Sequence, residues 1–256
     1  MATIISTTNA KGGVGKSSTA LFLAYALKEK GKTLLIDMDA QNSLTSFFFD
    51  EVDSILGKTI FEALTGKIDI NDSVYTFEPN LDFIPADILL TTFSDEPIDL
   101  KELRLNEILK PILSQYEYVI IDTAPNLLTE TKSALGISNI IIIPTILSSW
   151  AVRSVDIVDQ FIDSNNIKRL QSATNTDFQK AYILPTLVEK NRVAQDAVLS
   201  ALKEDHGERV LDGISKKTDV EKLYIIKDRK EIPKLATFKE YKKIADSILV
   251  PSLVKG

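Results

Sequence analysis

The feature that most restricts the fold of this chain is the segment AKGGVGKSS at residues 10–18. It follows ATIISTT, which is typical of a buried strand, and precedes a segment with apolar residues at helical spacing. Glycines lack a Cβ, so backbone N–H groups in such a loop can close around phosphate oxygens. The start of the following helix adds a partial positive charge. This order predicts a phosphate-binding loop and disfavours the alternative, a glycine-rich turn that binds nothing.

Individual residues of the loop have predicted roles. Lys16 is expected to reach the β- and γ-phosphates of a nucleotide, and the Ser17 hydroxyl is expected to ligate Mg²⁺. The standard pattern G-x-x-x-x-G-K-[ST] requires glycine where this chain has Ala10, and an additional lysine, Lys11, follows it. A lysine at the mouth of the loop is well placed to neutralise the phosphates of a second copy of the chain. The expected nucleotide contacts are Gly12, Gly13, Val14, Gly15, Lys16, Ser17 and Ser18.

Strand-like and helix-like segments alternate along the chain. The strand-like segments are rich in Val, Ile and Leu without alternation, which is typical of a parallel sheet covered on both faces. We therefore expect an α/β fold: a single doubly wound, mostly parallel sheet with helices on both faces. No repeat, low-complexity tract or Pro/Gly/Ser-rich linker interrupts the pattern, so residues 1–256 are expected to form one domain. The predicted strands are ATIISTT, KTLLIDMD, LDFIPAD, YEYVIIDTAP, NIIIIPT and KAYILPT, and the predicted helices are 17–29, 59–65, 100–113, 149–163, 191–205 and 234–249.

Composition excludes several classes of chemistry. The chain has no cysteine and one histidine, His206, which rules out disulfides, thiolate metal sites, cysteine nucleophiles and poly-histidine metal sites. No apolar run approaches the roughly 18 residues that span a bilayer, and the N-terminus has no secretory pattern. A cytoplasmic protein is expected.

Charge is distributed unevenly around a net value of −6. Residues 50–99 carry twelve acidic side chains against two basic ones, whereas residues 214–243 carry ten basic side chains against five acidic ones. The overall balance argues against a surface that coats nucleic acid as a whole. The second segment allows a local basic face.

Three acidic residues stand at the ends of predicted strands. Asp37 and Asp39 lie two residues apart, so their side chains point the same way and face the ligand crevice at the carboxyl edge of the sheet. The alternative is an acidic cap for the next helix, a task that Asn42 or Ser43 could also perform. Asp122 follows four apolar residues in the predicted strand YEYVIIDTAP.

These motifs resemble those of the ParA/MinD family of ATPases. KGGVGKS is similar to its deviant Walker A motif, D-x-D-x-Q-x-x-x-T from Asp37 resembles the ParA branch, and YVIIDTAP resembles Walker B. The resemblance implies a P-loop NTPase that binds ATP or ADP with Mg²⁺ and forms a homodimer through ATP. It implies that Lys11 contacts the nucleotide of the other subunit and that Asp39 positions the attacking water. The implied catalytic residues are Lys11, Lys16 and Asp39, and the implied magnesium residues are Ser17, Asp37 and Asp122.

Hydrolysis is expected to be slow. No glutamate or glutamine stands where a fast general base would be obvious, and phosphoryl transfer to water depends mainly on positioning and charge neutralisation. Slow turnover suits a timer or switch better than a metabolic enzyme.

The distal half contains the candidate DNA-binding residues. ParA proteins bind DNA without sequence preference through basic residues in two stretches, which the resemblance places at Lys190, Arg192, Lys216 and Lys217. A solvated charged face is the alternative. The chain has Ile214-Ser215-Lys216 where the family often has Ile-Pro-Arg, which leaves the adenine contacts undefined.

Trp150 is expected to pack in the core or at a helix start, with an interface as the alternative. His206 is expected to cap a helix.

Three functions compete. In a partition ATPase, the ATP-bound dimer binds non-specific double-stranded DNA, and a centromere-binding ParB-type partner stimulates hydrolysis and release. A MinD-like membrane switch would need a basic amphipathic C-terminal helix, which Pro251 interrupts. An electron-transfer or metal-insertion ATPase would need cysteines. We therefore expect a cytoplasmic, nucleoid-associated ParA protein with no membrane partner. It resembles the short form without an N-terminal helix-turn-helix, and within that form the plasmid-partition ATPases of spirochaetes.

Overall fold

The computed structural model describes residues 2–249 and builds them around a seven-stranded sheet. The strands are β1 (Thr3–Thr7), β2 (Thr33–Met38), β3 (Tyr75–Glu78), β4 (Leu81–Ile84), β5 (Tyr118–Thr123), β6 (Ile140–Ile146) and β7 (Lys180–Thr186). Their order across the sheet is β3-β4-β2-β5-β1-β6-β7. All neighbouring strands are parallel except β3, which pairs antiparallel with β4 at one edge.

Helices connect the strands and follow the last one. Those in residues 2–249 are α1 (Lys16–Leu27), α2 (Ser43–Phe48), α3 (Ile60–Thr65), α4 (Lys101–Leu109), α5 (Thr129–Ile137), α6 (Ala151–Ile162), α7 (Asn165–Thr174), α8 (Val193–His206), α9 (Thr218–Ile226) and α10 (Ala236–Leu249). Short 3₁₀ segments occupy Val52–Ile55, Ile70–Ser73, Ile88–Asp95, Leu113–Gln115, Gly207–Arg209 and Arg229–Lys234. None of the helices in this described part of the chain is long and apolar enough to cross a membrane.

The predicted fold class is confirmed. Successive residues of the central strands alternate between two cores: Ile5 and Ile120 join the core beneath α1 and α10, whereas Ile4 and Ile121 join the core on the opposite face. A third cluster covers β6 and β7 with α6, α7 and α8. The sheet is therefore buried on both faces, which explains its continuous apolar strands.

Helix α1, which directly follows the phosphate loop and holds it in place, is deeply buried. Ten of its twelve residues are buried, and Phe22 stacks on Tyr241 of α10 with ring centroids 5.0 Å apart. The prediction of a packed terminal helix is confirmed for residues 236–249, where Phe238, Ile244 and Ile248 are buried. Pro251, the predicted helix breaker, lies outside the described residues.

Sequence reasoning missed several elements: β3 and the helices α2, α5, α7 and α9. β3 is short and half-exposed, so it lacks the apolar run that identifies the central strands. Helix α5 contains Gly136, an unfavourable helix residue. A Cβ at Gly136 would lie 3.0 Å from Leu170 Cβ, so glycine is what lets α5 and α7 approach closely.

Candidate phosphate-binding site

The loop at residues 10–15 joins β1 to α1 at the carboxyl edge of the sheet. Gly13 has a φ of 73° and Gly15 a φ of 89°, a left-handed region that residues with a Cβ enter only at a cost. Gly12 and Lys11 are exposed, Val14 is buried, and α1 begins at the buried Lys16. The local sequence thus builds an open glycine loop that ends on a helix N-terminus.

Two polar residues that sequence analysis did not identify anchor this loop. The buried Asn9 donates from Nδ2 to the Pro144 carbonyl at the end of β6 (2.9 Å) and accepts the Lys11 N–H at Oδ1 (2.9 Å). The Thr186 hydroxyl at the end of β7 donates to the Val14 carbonyl (2.8 Å). These partners lie 135 and 172 residues apart in sequence, so no local pattern indicates them.

The structure brings the predicted acidic residues together. In the strand register, Asp122 of β5 lies opposite Asp37 of β2 on one side and opposite Thr7 of β1 on the other. The Thr7 hydroxyl donates to Asp122 Oδ1 (3.0 Å). Asp122 Oδ2 is buried and has no hydrogen-bond partner among residues 2–249.

Asp37 and Asp39 have different environments. Asp37 accepts the Asp39 N–H at Oδ1 (3.0 Å), and at Oδ2 it accepts both the N–H (3.0 Å) and the hydroxyl (2.8 Å) of Thr45. Thr45 is in the first turn of α2, so Asp37 performs the helix-capping task, while Asn42 at the N-cap position makes no side-chain cap. Asp39 Oδ1 accepts the Gln41 N–H (2.9 Å), and no hydrogen bond from the described residues reaches its other oxygen.

Burial sets the electrostatics of the site. It raises the pKa of Asp122 to about 8, and the negative charge of Asp37 acts in the same direction, while Ser17 and Lys16 oppose it. Burial also raises the pKa of Asp37 to about 6, against the hydrogen bonds from Asp39 and Thr45. The pKa of Lys16 is lowered by burial, and Asp122 and Asp39 oppose this. The Lys16 ammonium donates only a long hydrogen bond, 3.4 Å, to the Lys11 carbonyl.

These features fit a divalent cation and an anionic ligand. Asp122 Oδ2 is a buried carboxylate oxygen without a partner in residues 2–249, and Mg²⁺ prefers such oxygen ligands. Lys16 and the loop N–H groups provide positive charge beside it. The arrangement can therefore bind a magnesium–phosphate group at the edge of the sheet.

The four candidate DNA-binding residues lie in one neighbourhood. Val188 pairs with Ser215 in an isolated parallel bridge, which extends β7 and brings residues 188–192 beside 214–217. Arg192 and Lys216 both pair with Glu189 (2.9 and 3.1 Å), and Lys217 pairs with Glu240 (2.7 Å). Lys190 is exposed.

Three of these residues, Lys190, Lys216 and Lys217, line a cleft of about 590 Å³, and Arg192 does not. Its lining includes Val188, Lys190 and Lys216 together with Glu189, Glu221 and Glu240. Val188, in its lining, is two residues from Thr186, whose hydroxyl donates to the Val14 carbonyl of the phosphate loop. The cleft is mixed in charge rather than uniformly basic.

Acidic partners also reduce the positive charge of the wider segment. Five of the ten basic side chains of residues 214–243 form ion pairs: Lys216, Lys217, Lys227, Lys234 and Lys242. Three of the acidic partners, Glu189, Asp50 and Glu29, lie outside this segment, so the predicted local basic face is weaker than the residue count indicates.

The structure contradicts two further expectations, the packing of Trp150 in the core and the helix-capping role of His206. Trp150 is 60% exposed, with the Arg153 guanidinium 5.9 Å from its ring, so the core-packing interpretation is wrong. It stands at the start of α6 and faces solvent. His206 is the last residue of α8, with Nδ1 3.6 Å from an Asp159 carboxylate oxygen, and its side chain caps no helix.

Comparisons with known proteins agree with this geometry. The AAA domain family AAA_31 matches residues 2–180. The chromosome-partitioning ATPase Soj of Treponema pallidum is 33% identical over 195 residues, which cover 74% of each chain.

Solved structures extend the likeness to nearly the whole chain. A plasmid partition protein of Borrelia burgdorferi B31 bound to AMPPNP is 31% identical, with a TM-score of 0.82 over 97% of this chain and 99% of that one. Cobyrinic acid a,c-diamide synthase of Mycobacterium smegmatis, with bound ADP and magnesium, is 25% identical, with a TM-score of 0.80 over 97% and 94%. The Borrelia protein agrees with the resemblance to spirochaete partition proteins.

Proposed function

Because this chain belongs to the AAA_31 family, of ParA/MinD type, and is related to ParA/Soj partition ATPases, we propose that it is a DNA-partition ATPase that hydrolyses ATP slowly. The observation that carries the proposal is the convergence of Lys16 and the buried Asp122 Oδ2 beside an open glycine loop. The cargo is a plasmid or a chromosome.

The loop residues hold the nucleotide. The N–H groups of residues 12–18 surround the phosphates, and Lys16 exchanges its long bond to the Lys11 carbonyl for a phosphate oxygen. Ser17 and Asp122, with Asp37 opposite Asp122 in the strand register, would hold Mg²⁺, which would neutralise charge on the phosphates. Asp39 accepts a hydrogen bond from the attacking water at the oxygen that Gln41 leaves free.

The nucleoside occupies the cleft beside the loop. A volume of about 590 Å³ lies within the ordinary range for small-ligand sites. Val188 supplies apolar contact, and it follows by two positions Thr186, the β7 residue that anchors the loop.

Dimerisation through ATP controls DNA binding in this proposal. Lys11 is exposed at the mouth of the loop and reaches the nucleotide of a second subunit, so ATP closes a homodimer. The dimer doubles the patch of Lys190, Arg192, Lys216 and Lys217, which contacts DNA phosphates without sequence preference. A ParB-type partner stimulates hydrolysis and release. The protein acts in the cytoplasm on the nucleoid.

Binding to an arbitrary-sequence duplex, measured by fluorescence anisotropy with Mg-ATP and then Mg-ADP, tests this function. We expect binding with ATP only, which weakens steeply with salt and is reduced by Arg192→Ala. The control is Lys110→Ala, which removes an exposed lysine directly after α4 that belongs to neither candidate DNA-binding stretch. Binding to anionic liposomes but not to DNA would overturn the proposal in favour of a MinD-like membrane switch.

A further inference from the structure

Tyr224 of helix α9 lies beside the first turn of α1, directly after the phosphate loop. Its ring packs on Phe47 of α2, with centroids 5.3 Å apart. Its hydroxyl lies 3.5 Å from the hydroxyl of Ser18, in the first turn of α1, and accepts from it. Tyr224 therefore contacts both the helix that follows the phosphate loop and the helix capped by Asp37.

The hydroxyl of Tyr224 is a neutral group close enough to the acids of the site to be affected by their charge. Burial raises the pKa of Tyr224, and the negative charges of Asp122 and Asp37 raise it further. The hydroxyl accepts from Ser18 and donates to no acceptor among residues 2–249. A tyrosine hydroxyl can both donate and accept, so its proton remains available.

We propose that Tyr224 is a positioning residue that orients the Ser18 hydroxyl toward a bound nucleotide phosphate and thereby fixes α9 when nucleotide binds. When Ser18 donates to a phosphate oxygen, its own oxygen accepts the Tyr224 O–H. The direction of the bond between the two hydroxyls reverses, and a chain from Tyr224 through Ser18 to the phosphate forms. Bonds in such a chain polarise one another, so Tyr224 makes Ser18 a better donor.

This arrangement links the loop to the cleft. Helix α9 begins at Thr218, directly after Lys216 and Lys217, and all three residues line the cleft. A nucleotide that fixes Tyr224 therefore also orders the segment that carries two of the proposed DNA contacts. The inference rests on the proposed nucleotide site.

A neighbouring pair provides a matched control. The Tyr241 hydroxyl of α10 lies 3.0 Å from the Thr19 hydroxyl, one residue further along α1. Both partners are buried, and the pKa of Tyr241 is raised by burial, with Tyr224 and Glu240 rather than the site acids adding to it. Tyr241→Phe thus removes a comparable hydroxyl contact that does not face the phosphate loop.

The test is Mg-ADP binding by calorimetry together with hydrogen–deuterium exchange of residues 218–226. For Tyr224→Phe we expect about fivefold weaker binding and loss of the ADP-induced protection of α9 that the wild type shows. Tyr241→Phe should retain both wild-type affinity and protection. In a Ser18→Ala background, Tyr224→Phe should weaken binding no further.

Unchanged affinity and protection in Tyr224→Phe would refute the inference while leaving the nucleotide site intact. The same loss in Tyr241→Phe, or an undiminished effect of Tyr224→Phe in the Ser18→Ala background, would assign the residue a structural role only. Absence of ADP binding by the wild type would instead refute the proposed function, and the inference with it.

Discussion

Replacing Asp122 with asparagine should stabilise the nucleotide-free protein at neutral pH. The folded state raises the pKa of this carboxyl from 3.8 to about 8, mainly because it is buried. At pH 7 the unfolded chain carries the ionised group, whereas folding requires a proton to be taken up. At about 1.4 kcal/mol per pKa unit, this costs the folded state about 4 kcal/mol. The side-chain amide of the Asp122→Asn variant would carry no charge at any pH, and its oxygen could still accept the Thr7 hydroxyl.

The direction of the pH dependence follows from the raised pKa. The folded state binds the proton more tightly than the unfolded chain, so the wild type loses stability from about pH 4 up to about pH 8. Asp37, whose pKa is raised to about 6, contributes in the same direction over the lower part of that range. The loss should be smaller in Asp122→Asn.

Urea unfolding at pH 5 and at pH 7.5, without nucleotide or Mg²⁺, measures the difference. We expect Asp122→Asn to exceed the wild type by a few kcal/mol at pH 7.5 and by much less at pH 5. Asp205→Asn makes the same substitution at an exposed position and should match the wild type. Equal stability of Asp122→Asn and the wild type at pH 7.5, with the same pH slope, would show that burial does not penalise this carboxylate.

Three further outcomes are expected. Lys16→Ala should abolish Mg-ATP binding in calorimetry because the buried ammonium is the main positive charge beside Asp122; retained affinity would contradict its role. Lys11→Ala should retain ATP binding but lose ATP-dependent dimerisation in sedimentation. Normal dimers in this variant would refute the proposal that Lys11 contacts the nucleotide of the second subunit. Asn9→Ala should lower the free energy of unfolding by about 2 kcal/mol, since it leaves the Pro144 carbonyl without its donor. An unchanged urea midpoint would argue against that anchor.

Most of the parallel sheet was predictable because its signals are local. Continuous apolar strands and helical spacing identify β1, β2, β5, β6 and β7, since each pattern lies within one element. The edge strand β3 and the helix α5 escaped detection because β3 is short and half-exposed and α5 contains a glycine, so neither has a clear local signal. Gly136 illustrates this: it disfavours a helix locally, yet it permits the close approach of Leu170.

The charged residues of the distal half show what a count of charges in the sequence does not predict. Counting side chains predicts a basic face for residues 214–243, but a count does not reveal which acids lie beside them. The structure pairs Lys216 with Glu189 and Lys227 with Asp50, acids outside that segment that are 27 and 177 positions away. Only the fold shows how much positive charge is available to a nucleic acid.

The sequence by itself determined the phosphate loop, because a strand, a glycine loop and a helix N-terminus are adjacent in the chain. It also placed Asp37 and Asp122 at strand ends. Tertiary structure alone decided that these two acids lie side by side, that Asn9 and Thr186 anchor the loop, and that Tyr224 meets Ser18 across 206 residues. The physical reason is that such contacts depend on strand order and register, which arise from packing of the whole sheet and leave no mark on neighbouring residues.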